Sequence, residues 1–134
     1  MKSMQSEYLG ELRTNNLHLK SGQEVITDAP TDNNGKGEAF SPTDLVCAAL
    51  SSCMITIMGI KARDEGLNIK GLQSSITKQM SANPRKIARI AIEFSLDGLK
   101  ATDHQKEMLK KAALTCPVAL SLDPAITQEV SFNF

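Results

Sequence analysis

SPTDLVCAALSSCMITIMGIKARDEG, residues 41–66, is the stretch that predicts the long helix around which the rest of the fold is built. Ser41 suits the N-cap and Pro42 the first helical position, because a serine oxygen can accept an otherwise unpaired N–H and proline lacks one. Gly66 suits the position just after the helix, where the backbone is left-handed. Apolar side chains occur on nearly every side between these ends, a pattern typical of a buried helix. We therefore expect a buried central helix from Pro42 to about Glu65.

Strands are predicted on both sides of this helix, from alternating apolar residues separated by turn formers. The order β-β-β-α-β-β-α-β indicates an α+β fold rather than a parallel α/β sheet. A chain of 134 residues has the usual size of one domain, so we expect a single domain, residues 1–134. The predicted strands are Glu7–Thr14, Leu17–Lys20, Glu24–Asp28, Ile69–Ser81, Lys86–Leu96 and Ile126–Phe134; the predicted turns are Asn15-Asn16, Ser21-Gly22 and Asn83-Pro84; the second helix is Asp103–Leu114, with a further helical turn at Val118–Leu122.

Composition argues against several classes of function. Fifteen basic residues balance fifteen acidic ones, and no basic run occurs, so we expect no nucleic-acid partner. The longest apolar-rich stretch, Leu45 to Ile60, is interrupted by Ser51, Ser52 and Thr56 and does not reach the roughly 18 apolar residues of a membrane span. The N-terminus has no apolar segment of the kind found in signal peptides. We therefore expect a cytoplasmic protein without a membrane partner.

Cysteine and histidine usage gives no indication of a metal site. Three cysteines are too few for a secreted disulfide scaffold, and no Cys-x-x-Cys pair occurs. His18 and His104 lie far from each other and from every cysteine in the sequence. The cysteines and histidines therefore do not have the sequence spacing that is typical of zinc ligands.

Cys53 and Cys116 are the candidate reactive thiols. Cys53 lies among small residues near the middle of the long helix, and Cys116 precedes Pro117, where the second helix must break. Buried cysteine is commonly just a small apolar residue, and the sequence does not show whether these two meet. Cys47 lies about 240° around the helix from Cys53, which indicates core packing.

A reactive thiol also needs a nearby cation, because the thiolate is the nucleophile. Cys53 is too deep in its helix to use the helix N-terminus. The candidate cations are Arg13, Arg63, Arg85 and Arg89.

The segments around the two cysteines resemble the OsmC/Ohr family, the osmotically induced and organic hydroperoxide resistance proteins. The resemblance covers almost the whole chain, and the two cysteine motifs at this separation are more specific together than either is alone. The motifs are Ser41-Pro42-Thr43-Asp44-Leu45, Ala48-Ala49-Leu50-Ser51-Ser52-Cys53-Met54 and Leu114-Thr115-Cys116-Pro117-Val118; Leu12-Arg13-Thr14, Asp28-Ala29-Pro30 and the segment from Gly35 to Leu45 further resemble the OsmC-like branch.

This resemblance implies an intertwined homodimer with two active sites near the subunit interface. It implies that Cys53 is the peroxidatic cysteine and Cys116 the resolving cysteine. In the family an arginine of the first hairpin stabilises the thiolate, and Arg13 matches that region approximately. The family glutamate that orients the arginine is replaced by Thr43; Asp44 is adjacent, but one helical step turns it by about 100°.

The implied chemistry is the reduction of an organic hydroperoxide by the Cys53 thiolate, followed by disulfide formation and reduction by an external dithiol. It requires no metal, haem or flavin. An apolar pocket lined by residues such as Leu50, Met54 and Phe40 would favour alkyl or lipid hydroperoxides.

Two other functions fit the residues. Cys53 could act as a nucleophile in thiol or acyl transfer, but that chemistry usually needs a general base, and neither histidine lies in a recognisable motif. Alternatively, the chain could be a non-catalytic stress protein or a binding domain for a small apolar ligand, and Thr43 in place of a carboxylate supports this alternative.

Overall fold

The computed structural model describes every residue, Met1–Phe134. Contacts divide it into two compact units, Met1–Val46 and Cys47–Phe134. The α+β order expected from the sequence is confirmed, and the further helical turn predicted at Val118–Leu122 is present as a short helix, Pro117–Ser121. The single domain of residues 1–134 stays a prediction. The elements are β1 Met4–Gly10, β2 Arg13–His18, β3 Glu24–Asp28, α1 Pro42–Asp64, β4 Gln73–Ser81, β5 Lys86–Ser95, α2 Asp103–Leu114, α3 Pro117–Ser121 and β6 Thr127–Asn133.

The first unit is an antiparallel meander in the order β1-β2-β3. The predicted turn at Asn15-Asn16 is wrong, because both residues pair within β2. The Asn16 amide donates to the Val25 carbonyl, and its side-chain oxygen accepts from Ser6, so cross-strand bonds hold it in the sheet. The turn lies instead at Glu11 and Leu12, which have φ of 52° and 63°.

The predicted loop between β3 and α1 is present and contains a single 3-10 turn, Thr31–Asn33. Its path requires a glycine at position 35, where a Cβ atom would lie 1.8 Å from the Ala29 carbonyl oxygen. The loop folds back on its own start, since Gly37 N–H donates to the same carbonyl at 3.1 Å.

Helix α1 begins and ends close to the predicted residues. Asp44 N–H donates to Ser41 Oγ at 3.0 Å, and Ser41 N–H donates to Asp44 Oδ2 at 2.9 Å, which is a reciprocal capping arrangement. Gly66 follows the helix with φ of 67°, as predicted.

One stripe of α1 is buried in this chain. Contrary to the expectation from its interrupted apolar run, this helix is long and apolar enough to cross a membrane, but core helices of soluble proteins meet the same criteria of length and composition. Its buried stripe joins the apolar cluster of the second unit. The stripe consists of Cys47, Leu50, Ser51, Met54, Met58 and Ala62.

The second unit contains the sheet β4-β5-β6 and both C-terminal helices. β4 and β5 form an antiparallel hairpin, but β6 runs parallel to β5, because α2 and α3 carry the chain back before β6 begins. Helix α2 has the predicted bounds and a Thr102–Gln105 capping box. β4 begins later than predicted, at Gln73, because Leu72 N–H closes a turn onto the Ile69 carbonyl.

Candidate active site

Cys53 lies on α1 beside the buried stripe. Its side chain is half-buried and packs against the apolar cluster of the second unit. Ser52, its neighbour, is exposed. The thiol therefore lies at the margin of the core, between buried and exposed faces of the helix.

Cys116 occupies the break between α2 and α3. It is fully buried and forms the N-cap of α3, where its Sγ accepts the Ala119 N–H at 3.4 Å. Pro117 is the first residue of α3, which explains why α2 cannot continue. Burial raises the pKa of the Cys116 thiol; the hydrogen bond from the Ala119 N–H opposes this effect, and the neighbouring Cys53 raises the pKa further.

The structure brings these two thiols together. The Cys53 side chain lies close enough to Cys116 to raise the pKa of its thiol, although more than sixty positions separate the two residues in the chain. Cys47, by contrast, is 2 % exposed and lies in the apolar cluster. Two adjacent thiols, one accessible and one buried, form a pair that can lose two electrons by forming a disulfide.

Arg13 lies in the first unit, at the start of β2, and pairs with Asp28. Its Nε donates to Asp28 Oδ1 at 2.7 Å and its NH2 group to Asp28 Oδ2 at 2.8 Å. This two-point contact lowers the pKa of the Asp28 carboxyl and raises the pKa of Arg13. A second carboxylate, Glu38, lies 3.7 Å from the guanidinium.

Asp28 is a site residue that sequence reasoning missed. It closes β3 and is the cross-strand partner of Arg13, the residue that opens β2. The sequence signal was a pair of opposite charges at the two strand ends. That signal can be recognised only once the strand register that pairs Arg13 with Asp28 is known.

Asp44 has a structural role in the first unit. Its carboxylate accepts the Ser41 N–H as part of the α1 cap. Thr43 Oγ1 lies 3.2 Å from Ser41 Oγ. The carboxylate that holds Arg13 with two hydrogen bonds is therefore Asp28, and a catalytic role of Asp44 stays a prediction.

Leu50, Met54 and Phe40, which were expected to line an apolar pocket, do not form one within this chain. Leu50 and Met54 have no exposed surface and belong to the core cluster, so they line no accessible pocket in this chain. Phe40 lies in the first unit and is 55 % exposed. No group of three or more His, Cys, Asp or Glu side chains is arranged to hold a metal ion.

Comparison with known proteins gives consistent matches. A family profile described as OsmC-like protein matches residues 35–131. One similar crystal structure is that of an osmotic stress induced and detoxification response protein from Psychrobacter arcticus 273-4. The two sequences are 47 % identical, and the match covers 99 % of this chain and 96 % of the other, with a TM-score of 0.95. No curated protein matches the sequence significantly.

More distant structures share the fold. An organic hydroperoxide resistance protein OsmC from Legionella pneumophila is 14 % identical, with a TM-score of 0.76 over 100 % of this chain and 98 % of its own. An organic hydroperoxide resistance protein from Elizabethkingia anophelis is 11 % identical, with a TM-score of 0.70 over 99 % of this chain and 96 % of its own.

Proposed function

Because the chain belongs to the OsmC-like family, we propose that it reduces organic hydroperoxides with Cys53 and Cys116 as a redox pair. The observation that carries this proposal is the proximity of the two thiols, one half-buried and one buried. An isolated cysteine would support only an apolar packing role. Two neighbouring thiols can instead form a disulfide on oxidation, and an external dithiol can reduce that disulfide.

The reaction has three steps. The Cys53 thiolate attacks the distal peroxide oxygen, the O–O bond breaks, and the alkoxide leaves as an alcohol after taking a proton. Cys53 is then a sulfenic acid, which the Cys116 sulfur attacks to form a disulfide and release water. An external dithiol restores both thiols by exchange and leaves as a disulfide. One hydroperoxide and one dithiol thus give one alcohol, one water and one disulfide.

The different burial of the two thiols supports their different roles. Cys53 is half-buried, so a hydroperoxide can reach it more readily than the fully buried Cys116. The raised pKa of Cys116 favours its thiol form, so Cys116 is the poorer nucleophile toward the peroxide. Cys53 is therefore the peroxidatic residue of the proposal and Cys116 the resolving one. The family resemblance adds the proposal that Arg13 is the cation that stabilises the Cys53 thiolate.

The proposed partners are a second copy of this chain and an external dithiol, with the cytoplasm as the location. One face of α1 supports the dimer, since it is exposed in the single chain although much of it is apolar or small. Gly59 lies next to this face and would let another helix approach closely. The exposed residues of the face are Ala49, Ser52, Thr56 and Ile60.

A dithiol-coupled peroxidase assay tests the function. With cumene hydroperoxide and dithiothreitol, the wild type should consume peroxide catalytically, and Cys53→Ser should consume almost none. Cys47→Ser is the matched control, because it removes a thiol from the same helix and should retain activity. Full activity in Cys53→Ser would overturn the mechanism, and an inactive wild type would favour the non-catalytic, ligand-binding alternative.

A further inference from the structure

Arg13 follows a strained turn. Gly10, Glu11 and Leu12 all have positive φ, of 86°, 52° and 63°. Two-residue hairpin turns of this kind favour Asn-Gly, because other side chains meet steric strain in the left-handed region. Such strain persists only where surrounding contacts hold the backbone in place.

Contacts from the loop after β3 hold this turn. Lys36 pairs with Glu11 at 2.6 Å, and the Ala29 N–H donates to the Leu12 carbonyl at 3.0 Å. Within the meander itself, the Leu12 N–H donates to the Tyr8 hydroxyl at 3.2 Å. The position at which Arg13 leaves the turn is therefore fixed by several independent bonds.

Asp28 then fixes the Arg13 side chain. Its side chain has no exposed surface, and both of its oxygens accept from the guanidinium, at 2.7 and 2.8 Å. Asp28 Oδ2 also accepts the Glu38 backbone N–H at 3.1 Å, which joins the loop to the pair. A planar two-point contact determines the orientation of a guanidinium, whereas a single ion pair does not.

The other charged groups nearby do not provide such a contact. Glu38 approaches Arg13 only to 3.7 Å and is 67 % exposed. Glu11 binds Lys36 at 2.6 Å. Asp28 is thus the buried carboxylate that sets the guanidinium plane.

We propose that Asp28 is the positioning residue for Arg13, taking the place of the glutamate that the family resemblance leads one to expect at position 43. This inference rests on the proposed function, in which Arg13 stabilises the Cys53 thiolate. Asp28 acts through Arg13 and does not touch the substrate. Its lowered pKa, caused mainly by the Arg13 hydrogen bonds, keeps the carboxylate charged at neutral pH.

The test is the rate at which iodoacetamide alkylates Cys53 between pH 6 and 9, followed by peptide mass spectrometry. Alkylation reports the thiolate and does not depend on peroxide turnover, so an inactive peroxidase and a misassigned Asp28 give different results. Arg13→Ala and Asp28→Asn should each slow alkylation at pH 7 by about tenfold, because the rate follows the thiolate fraction. Glu38→Gln is the matched control and should stay within about twofold of wild type, because it leaves the Glu38 backbone N–H intact.

The double variant decides whether Asp28 acts through Arg13. Arg13→Ala combined with Asp28→Asn should be no slower than Arg13→Ala alone, because residues that act through one contact are not additive. Arg13→Lys gives a second route if Asp28→Asn does not fold, since lysine keeps the charge but loses the two-point contact; it should slow alkylation several-fold. Wild-type rates in Asp28→Asn, in Arg13→Lys or in Arg13→Ala would each overturn the proposal, as would a double variant clearly slower than Arg13→Ala.

Discussion

Oxidation of the neighbouring thiols should make this protein considerably harder to unfold. A bond between Cys53 and Cys116 closes a loop of about 64 residues, and the chain-entropy relation gives about 4 kcal/mol for such a loop at 25 °C. The Cys116 sulfur keeps its acceptor lone pairs in a disulfide, so the hydrogen bond from the Ala119 N–H can persist. The expected gain in the free energy of unfolding is therefore about 4 kcal/mol.

That gain converts into a large shift of the melting temperature. A chain of 134 residues has an unfolding entropy of about 0.28 kcal/mol/K near 60 °C. The oxidised protein should therefore melt about 14 °C above the reduced one. The thiols already interact in the reduced structure, so the bond should form without a large rearrangement that would consume this gain.

Scanning calorimetry on protein treated with one equivalent of cumene hydroperoxide measures this shift, and dithiothreitol should reverse it. All samples need the same protein concentration, because the melting temperature of a dimer depends on it. Cys116→Ser cannot form the bond and should show no rise, whereas Cys47→Ser should show the full rise. A mapped Cys53–Cys116 bond with an unchanged or lower melting temperature would refute the reasoning, and so would a Cys47–Cys53 bond.

Light scattering at micromolar concentration should give a dimer, because the exposed face of α1 needs cover; a stable monomer would contradict this. Burial raises the pKa of Cys116 above 9.0, the usual pKa of a thiol, so disulfide formation should continue to accelerate as the pH rises beyond 9.0. Stopped-flow measurements of free thiols test this, and a rate that levels off below pH 9.0 would count against it. The lowered pKa of Asp28 stabilises the fold above its usual value of 3.8, so stability should fall as the pH drops below that value, and acid titrations of Asp28→Asn should lack this component. Phe94→Ala should cost about 3–5 kcal/mol in urea unfolding, since its buried ring stacks on Phe132; a loss below about 1 kcal/mol would be inconsistent with that packing.

Local signals predicted the elements whose ends are decided by neighbouring residues. The α1 cap depends on Ser41 and Asp44, three positions apart, and its end on Gly66. The α2 bounds follow in the same way from Thr102 and from Pro117 beyond its end. Capping bonds and proline sterics act within one helical turn, so they can be read directly from adjacent residues.

The first hairpin shows where local signals fail. Asn15-Asn16 is a stronger turn former than Glu11-Leu12, yet the chain turns at Glu11-Leu12. The register that pairs Arg13 with Asp28, together with the contacts of the loop after β3, outweighs the local preference. Strand register depends on partners distant in sequence, which no local window contains.

The candidate site divides in the same way. The sequence by itself determined the long apolar helix, the break at Cys116-Pro117 and the family resemblance, because these follow from residue types at short range. Only the tertiary structure decided that the Cys53 and Cys116 thiols lie close together and that Asp28 holds Arg13. Both pairs join residues from different elements. The cysteine pair depends on packing within the second unit, and the Arg13–Asp28 pair depends on strand register within the first unit. Packing of that kind is a property of the whole fold, so the chemistry of the site emerges only once the elements are assembled.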